Sequence, residues 1–450
     1  MAVPSWINSK ASQVVERLRA LPAGVILGIG FALFLVYAFP GYMSSDSVMQ
    51  MLEGRSHRFT SGHPPIMAAE WGVLDAIVSG PILMLLLQGL LFVGGAFAVL
   101  RRFLTPRAAA VVADLILLFP PVLTTMAVIW KDSQMAAYLV AGIAALLSKR
   151  PGVRIMGWVL ITAGCAFRYN AFAATVPLVF LLFEWRPGFP WFARYGISLA
   201  AAIASVMLAF GINRALEVKH EYLAPGMADI VGVLAYTDDR SDEDLRHVLR
   251  DTSLRVTTSI QATARMLYSE RNPYRIDHGD NRIFDPPKTE LQRIALTRAW
   301  KEIVSSDWNA YFSYRIAGYR ELLGLSEAPL WAPVWNAFNE APEQVAYIHH
   351  DASQSWAQNR LGLLFATLAD ETPLFRPYLY TLLALLLVAV VCRDRLTLAL
   401  FASGLGYELS FFPAAGTPDF RYSHWLIATT CLATVILFVQ RLRVRTRESS

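Results

Sequence analysis

Five stretches of this 450-residue chain carry residues able to move a proton or hold a phosphate. The densest is Pro40-Gly41-Tyr42-Met43-Ser44-Ser45-Asp46-Ser47, just past an uncharged apolar run, and Ser61-Gly62-His63-Pro64-Pro65 follows it. The others are Trp130-Lys131-Asp132, Phe167-Arg168-Tyr169-Asn170 and Asp419-Phe420-Arg421-Tyr422, each set between apolar runs. A carboxylate such as Asp46 suits a general base that takes a proton from an attacking hydroxyl. Arg offers a planar fork and Lys a point charge, and both suit a phosphate. Joined in one place, they would transfer a group from a phosphate ester to a hydroxyl. Simpler roles stand beside this one. Asp46 fits a helix cap over 47–52, Pro64-Pro65 a helix start, and His63 a structural histidine. The cations could also pair with Asp46, Asp132 or Asp419 as a staple of the fold.

Apolar segments must position these residues. The chain is 55% hydrophobic and 17% charged, against roughly a quarter charged in a soluble domain, which excludes an ordinary globular enzyme. Its 12 Trp, 17 Tyr and 25 Phe exclude a disordered chain. The run from Leu21 to Pro40 holds no charge and matches the thickness of a bilayer. Without a small-residue cleavage site, it reads as a retained helix. Further runs at 80–100, 108–129, 134–148, 153–167, 171–183, 195–213, 374–392, 396–412 and 423–440 predict an all-α polytopic membrane protein of about ten transmembrane helices. The shorter runs require a thinned bilayer or helices packed inside the bundle.

The formal charge of +5 could point to nucleic acid, but the basic residues cluster where apolar runs end. Arg101-Arg102, Lys149-Arg150, Arg393/Arg395 and Arg441/Arg443/Arg445/Arg447 follow the positive-inside pattern, not that of a nucleic-acid groove. With Lys10, Arg17, Arg19, Arg107, Arg154, Arg186 and Arg194, one side holds 17 basic residues. The short segments of the other side hold only Arg55, Arg58, Lys131, Arg168 and Arg421. Both termini are therefore expected in the cytoplasm. Residues 1–213 form an N-terminal transmembrane module containing a first outer loop, 41–79. Residues 214–372 form an outer, mainly helical subdomain, because Leu291, Ile294, Trp300, Ile303, Tyr311, Tyr314 and Tyr319 recur near helical spacing between Pro273, Pro286, Pro329 and Pro342. Residues 373–450 supply the C-terminal transmembrane helices and a basic tail. Cys165, Cys392 and Cys431 lie in or at the ends of apolar runs and read as packing residues.

On this topology all five polar stretches face outward. A buried charge without a partner is expensive, and cations at outer turns oppose the positive-inside bias. Soluble nucleotide donors are not expected on that face. The donor should enter from the bilayer as a sugar on a polyprenyl phosphate, and the partners are then that donor, a glycan or glycolipid acceptor and membrane lipid, with no nucleic acid.

This arrangement resembles the GT-C superfamily of polyprenyl-phosphate-sugar-dependent membrane glycosyltransferases. In that superfamily the catalytic aspartate lies in the first outer loop, whose helices lie along the membrane. Asp46 in Gly41-Tyr42-Met43-Ser44-Ser45-Asp46-Ser47 matches that position, and Gly62-His63-Pro64-Pro65 is similar to the second half of the loop. Lys131-Asp132 falls where the superfamily often has a second acidic site. The resemblance implies Asp46 as the base, with Asp132 also catalytic or holding Lys131. It implies Lys131, Arg168 and Arg421 on the donor phosphate, and His63, Tyr42 and Glu408 on the acceptor or sugar. Transfer would invert the anomeric configuration at the outer face of a bacterial inner (cytoplasmic) membrane. Some relatives need a divalent metal and others none, so that point stays open. The segment 214–372 departs from relatives whose soluble domain is C-terminal, and no subfamily is assigned.

Other conspicuous residues carry less. Asp114 lies within a span near its cytoplasmic end and is expected to snorkel or pair. His349-His350-Asp351 invites a metal, but adjacent His residues do not share a helix face. The acidic string from Asp238 to Asp244 suits a helix start. A flippase would spread charges through the depth of the bundle and show repeat symmetry; here they gather on one side and no repeat is visible. A polymerase or ligase using a lipid-diphosphate donor shares the cations and the large outer loop, and differs in the donor.

Overall fold

The computed structural model describes residues 21–186, 188–218, 225–238, 240–271, 282–337, 354–390 and 394–448. Lys10, Arg17, Arg19, Asp239, Pro273, Pro342, His349, His350, Asp351, Cys392 and Arg393 lie outside them, as do the side chains of Arg445 and Arg447. Among the described residues every extended element is a helix, and β pairing is confined to isolated bridges.

The first half contributes α1 (Ala23–Ala38), α2 (Ser45–Ser56), α3 (Pro65–Asp75), α4 (Ile82–Leu100), α5 (Pro106–Leu117), α6 (Pro120–Met126), α7 (Lys131–Leu146), α8 (Pro151–Ala166), α9 (Phe172–Leu182) and α10 (Trp191–Leu216). The middle adds α11 (Pro225–Tyr236), α12 (Asp242–Val248), α13 (Ile260–Leu267), α14 (Glu290–Ser306) and α15 (Trp308–Leu322). The chain closes with α16 (Trp356–Glu371), α17 (Pro377–Val390), α18 (Arg395–Ala414) and α19 (His424–Glu448). Helices α3, α5, α6 and α8 begin on proline, whose fixed φ suits a first turn and whose missing N–H costs nothing there. Ser241, first in line before the acidic turn of α12, accepts from the Asp244 N–H, so the string from Asp238 serves a helix start.

The described residues are all-helical, and several of their helices are apolar enough to cross a membrane. Among the described residues three helical stretches, Ile82–Leu100, Trp191–Leu216 and Phe420–Arg443, are long and apolar enough to cross a membrane, and the pair α5 and α6, bent by 71°, would make a fourth. The runs at 21–40, 153–167, 171–183 and 374–392 form shorter apolar helices, while 396–412 lies in the 20-residue helix Arg395–Ala414. Helix α7 spans 16 residues, with most of its positions buried among α4, α8 and α19. Its hydrophobicity therefore reflects burial among helices as well as contact with lipid.

Two cores result. The larger joins α1 to α10 with α17 to α19, and α16 packs onto α1 through Phe365 against Tyr37. The smaller gathers side chains between Met227 and Tyr314. The segment 214–372 is thus divided between two cores, because Gln358 of α16 donates to the Tyr37 and Phe39 carbonyls at the end of α1. Asp114 is buried against Gly30 of α1 and, among the described residues, has no ion pair; it neither snorkels nor pairs.

Two glycine positions shape the loop 41–79. Gly41, at φ +114°, takes a conformation that L side chains rarely adopt and turns the chain back against Ile129. Gly54 of α2 and Gly72 of α3 meet backbone to backbone: a Cβ on Gly54 would stand 2.5 Å from the Ala68 carbonyl oxygen. The loop is consequently a tight helical hairpin, with Asp46 at the start of one arm and His63 just ahead of the other.

Candidate functional site

Backbone pairing builds the floor. The Tyr42 N–H donates to the Ala127 carbonyl (3.0 Å) and the Ile129 N–H to the Tyr42 carbonyl (2.9 Å), a parallel bridge that lays 41–44 beside 127–130. Each strip leads directly into a helix, α2 or α7. Side chains lock the two starts together. Trp130 Nε1 donates to Ser44 Oγ (2.8 Å), and Ser47 Oγ donates to the Ile129 carbonyl (2.8 Å). Asp46 and Asp132 therefore occupy the same place, the second residue of two adjacent helices, where the positive end of the helix favours a carboxylate.

Arg421 arrives from the far end of the chain on the turn Phe420–Ser423, which is tied to the middle of the chain by a bridge between Trp331 and Asp419. Its Nη2 donates to Asp46 Oδ2 (2.8 Å), while its Nε lies 2.9 Å from Asp419 Oδ2 and 4.0 Å from Asp132 Oδ2. One guanidinium thus touches three carboxylates. Arg168 clasps Asp132 through Nη1, at 2.7 and 2.6 Å to its two oxygens, and Tyr407 reaches the same carboxylate at 3.3 Å. Both guanidinium groups lie on aromatic faces. Arg421 sits 4.7 Å over Trp130, and Arg168 sits 4.6 Å over Tyr422, which stacks flat on Phe411. Such a face holds a cation without neutralising it.

Lys131 and His63 close the ring. Lys131 Nζ lies 2.5 Å from His63 Nδ1. An ammonium only donates, so Nδ1 accepts and Nε2 carries the ring proton, facing Asp46 Oδ1 at 3.8 Å. Burial pushes His63 down to about 3, and the Lys131 charge adds to the effect, so the imidazole is neutral at physiological pH. Burial also pulls Lys131 down to about 8, against the attraction of Asp46. Burial would raise Asp46, but Arg421 and Lys131 outweigh it and hold the carboxyl well below the usual carboxylate range. Asp419 moves the other way: burial raises it to about 6 despite Arg421. Asp46 and His63 keep about a fifth of their side-chain surface open, while Asp132 is sealed at 1%. Asp46 keeps contact with solvent; Asp132 is held behind Arg168.

Of the residues singled out from sequence, Asp46, His63, Lys131, Asp132, Arg168 and Arg421 meet in this cluster. The ion-pair staple is present as well, with Arg168 on Asp132 and Arg421 on Asp46. Tyr42 stands apart: it is fully buried and its hydroxyl donates to the Tyr37 carbonyl (2.8 Å), so its backbone builds the floor and its ring packs beneath. Glu408 is also buried and accepts from Ser423 Oγ (2.8 Å), two residues past Arg421, without touching the cluster. Among the described residues no three His, Cys, Asp or Glu form a group that could hold a metal.

Sequence reading missed a second rung beside the first. Glu70 accepts from the Tyr138 hydroxyl, seven residues beyond His63 and Lys131 on α3 and α7. Burial raises Glu70 to about 7, and the hydrogen bond from Tyr138 opposes that rise. The equal seven-residue offset on both helices was the available signal, but it needs α3 and α7 already paired. No family model, curated protein or solved structure matches the chain.

Proposed function

We propose that this chain is an inverting glycosyltransferase of the GT-C type, in the bacterial inner membrane with its site on the outer face. It would move a sugar from a polyprenyl-phosphate donor to a hydroxyl of a cell-envelope glycan or glycolipid. The reading is carried by one observation: a partly open carboxylate, Asp46, paired with Arg421, with Lys131 close by on His63 and Arg168 on the neighbouring Asp132.

The chemistry is a single displacement. The acceptor oxygen attacks the anomeric carbon, its proton passes to Asp46, and the bond from that carbon to the phosphate oxygen breaks with its electrons leaving on the phosphate. Lys131, Arg168 and Arg421 would receive the charge that grows on the leaving group. Donors aimed in advance at developing charge are worth on the order of 3 kcal/mol each at a barrier.

In the resting arrangement Asp46 is a weak base, because Arg421 and Lys131 stabilise its anion. A donor phosphate that engages those cations would share their charge, and the affinity of Asp46 for a proton would rise. Donor binding would thus prepare the base, an order that limits proton capture before the sugar is in place. The direct test is purified protein supplied with a polyprenyl-phosphate sugar and a hydroxyl acceptor. Release of free polyprenyl phosphate with a product of inverted configuration is expected. Reaction with a lipid diphosphate sugar alone would replace this reading with a ligase.

A further inference from the structure

Helix α7 runs from Lys131 to Leu146, so the far end of the bundle lies roughly 24 Å from Asp46 at 1.5 Å per residue. There, two adjoining cavities of about 580 and 350 Å³ share Lys149, Arg154 and Glu184. The larger is also lined by Arg102, Arg194, Asp394 and Arg395. Its two carboxylates are already engaged. Asp394 caps α18, accepting from the Thr397 N–H (3.0 Å) and hydroxyl (2.7 Å), and Glu184 pairs with Arg194 at 3.6 Å. Among the described residues no carboxylate pairs with Arg102, Lys149, Arg154 or Arg395.

Arg154 makes the imbalance acute. It is 6% exposed, its Nη2 donates to the Trp185 carbonyl, and its Nε is buried without a partner. A buried donor left unmade is costly, and like charges converging on one cavity repel. The first turn of α8, beginning at Pro151, adds the positive end of a helix. All of these terms are relieved by one occupant, an oxyanion such as a phosphate.

The surroundings say how that phosphate arrives. Ile155 and Trp185 line the smaller cavity and are 42% and 48% exposed, and Trp191 and Phe192 at the start of α10 are 75% and 64% exposed. Exposed aromatic residues beside a long apolar helix mark the level of lipid headgroups. We propose that this basin binds the phosphate of an anionic phospholipid, with Arg154 as its floor and Arg102, Lys149 and Arg395 as its exposed rim. The inference does not depend on the glycosyltransferase reading, since the two sites occupy opposite ends of the bundle.

The test is native mass spectrometry of the full chain in detergent, titrated with phosphatidylglycerol or with phosphatidylcholine of the same acyl chains. Phosphatidylglycerol should bind at least about tenfold more tightly. Lys149→Ala and Arg395→Ala, both at exposed positions, should each weaken it roughly fivefold, as expected per basic residue at an anionic surface. Phosphatidylcholine binding and the thermal unfolding midpoint without lipid should stay unchanged, which separates loss of the site from loss of the fold. Asp46→Asn should retain full phosphatidylglycerol binding. Equal affinity for the two lipids, or variants that bind phosphatidylglycerol as the parent does, would overturn the proposal. So would displacement of the lipid by millimolar inorganic phosphate, which would make the ligand a soluble anion.

Discussion

Arg421 Nη2 donates to Asp46 Oδ2 across 2.8 Å, joining residues 375 positions apart in the chain. The contact closes the bundle, since α2 belongs to the loop 41–79 and Arg421 to the turn before the last helix. It also sets the resting state of the carboxylate. The same guanidinium lies against Asp419 and over Trp130, so it is held from several sides and cannot follow Asp46 freely.

Asp46→Asn is the sharpest test of the base. Asparagine keeps an oxygen for Arg421 and nearly the same volume, so folding should survive. Sugar transfer should drop about 10²–10⁴-fold, the usual contribution of a positioned acid or base. Initial rates beside size-exclusion profiles would check this; turnover within threefold of the parent would remove Asp46 from the chemistry.

The pair Arg168 and Asp132 separates a staple from a site. Asp132 is 1% exposed, so Arg168→Gln strips a buried carboxylate of its closest cation, with only Arg421 left at 4.0 Å, and should destabilise the fold by about 3 kcal/mol. Adding Asp132→Asn should restore most of that stability, because neither charge then remains. Donor use should stay low in the double variant, since the cation for the phosphate is still missing. Thermal unfolding and the KM for the lipid donor give the two readouts, and recovery of both would leave only the staple.

The pH profile reports on Lys131. Its proton is lost as pH rises through about 8, and with it one positive charge for the leaving group. kcat/KM should therefore be flat near neutrality and fall above about pH 8. Asp46 stays ionised throughout, being held far below the carboxylate range. On the acid side Asp419 titrates near 6, and Asp419→Asn removes any limb it causes. Lys131→Arg should carry the alkaline limb beyond reach, as arginine does not lose its proton in this range. An unmoved limb in that variant would assign it to another group.

The charged cluster was legible in the sequence as a set of residues. A charge between apolar runs is costly unless it has a partner, so Asp46, Lys131, Asp132, Arg168 and Arg421 announced themselves by type and placement. Their pairing was not legible. Which carboxylate meets Arg421 depends on the bridge between 41–44 and 127–130, and no local pattern encodes a bridge of one residue pair. Tyr42 shows the limit: it sits in the polar string, yet its ring turns inward to Tyr37. Runs such as 134–148 are apolar for two reasons at once, burial in a bundle and contact with lipid, and hydropathy alone does not separate these.

The hairpin of α2 and α3 offers a test of positioning away from the charged cluster. Gly54 and Gly72 let the two helices touch: a Cβ at Gly54 would meet the Ala68 oxygen at 2.5 Å and the Gly72 nitrogen at 2.8 Å. Both obstacles are backbone, so Gly54→Ala must push the helices apart, and overpacking of this kind costs about 1–3 kcal/mol. Asp46 and His63 ride on opposite arms, and a displacement of about 1 Å at a reacting group can cost on the order of 10²-fold in rate. Activity should therefore fall far more than stability. Gly28→Ala, on α1 with open space around it, serves as the control and should be neutral or slightly stabilising. Thermal unfolding and transfer rates of the two variants decide the matter: equal rates would show that the spacing of the hairpin does not position Asp46.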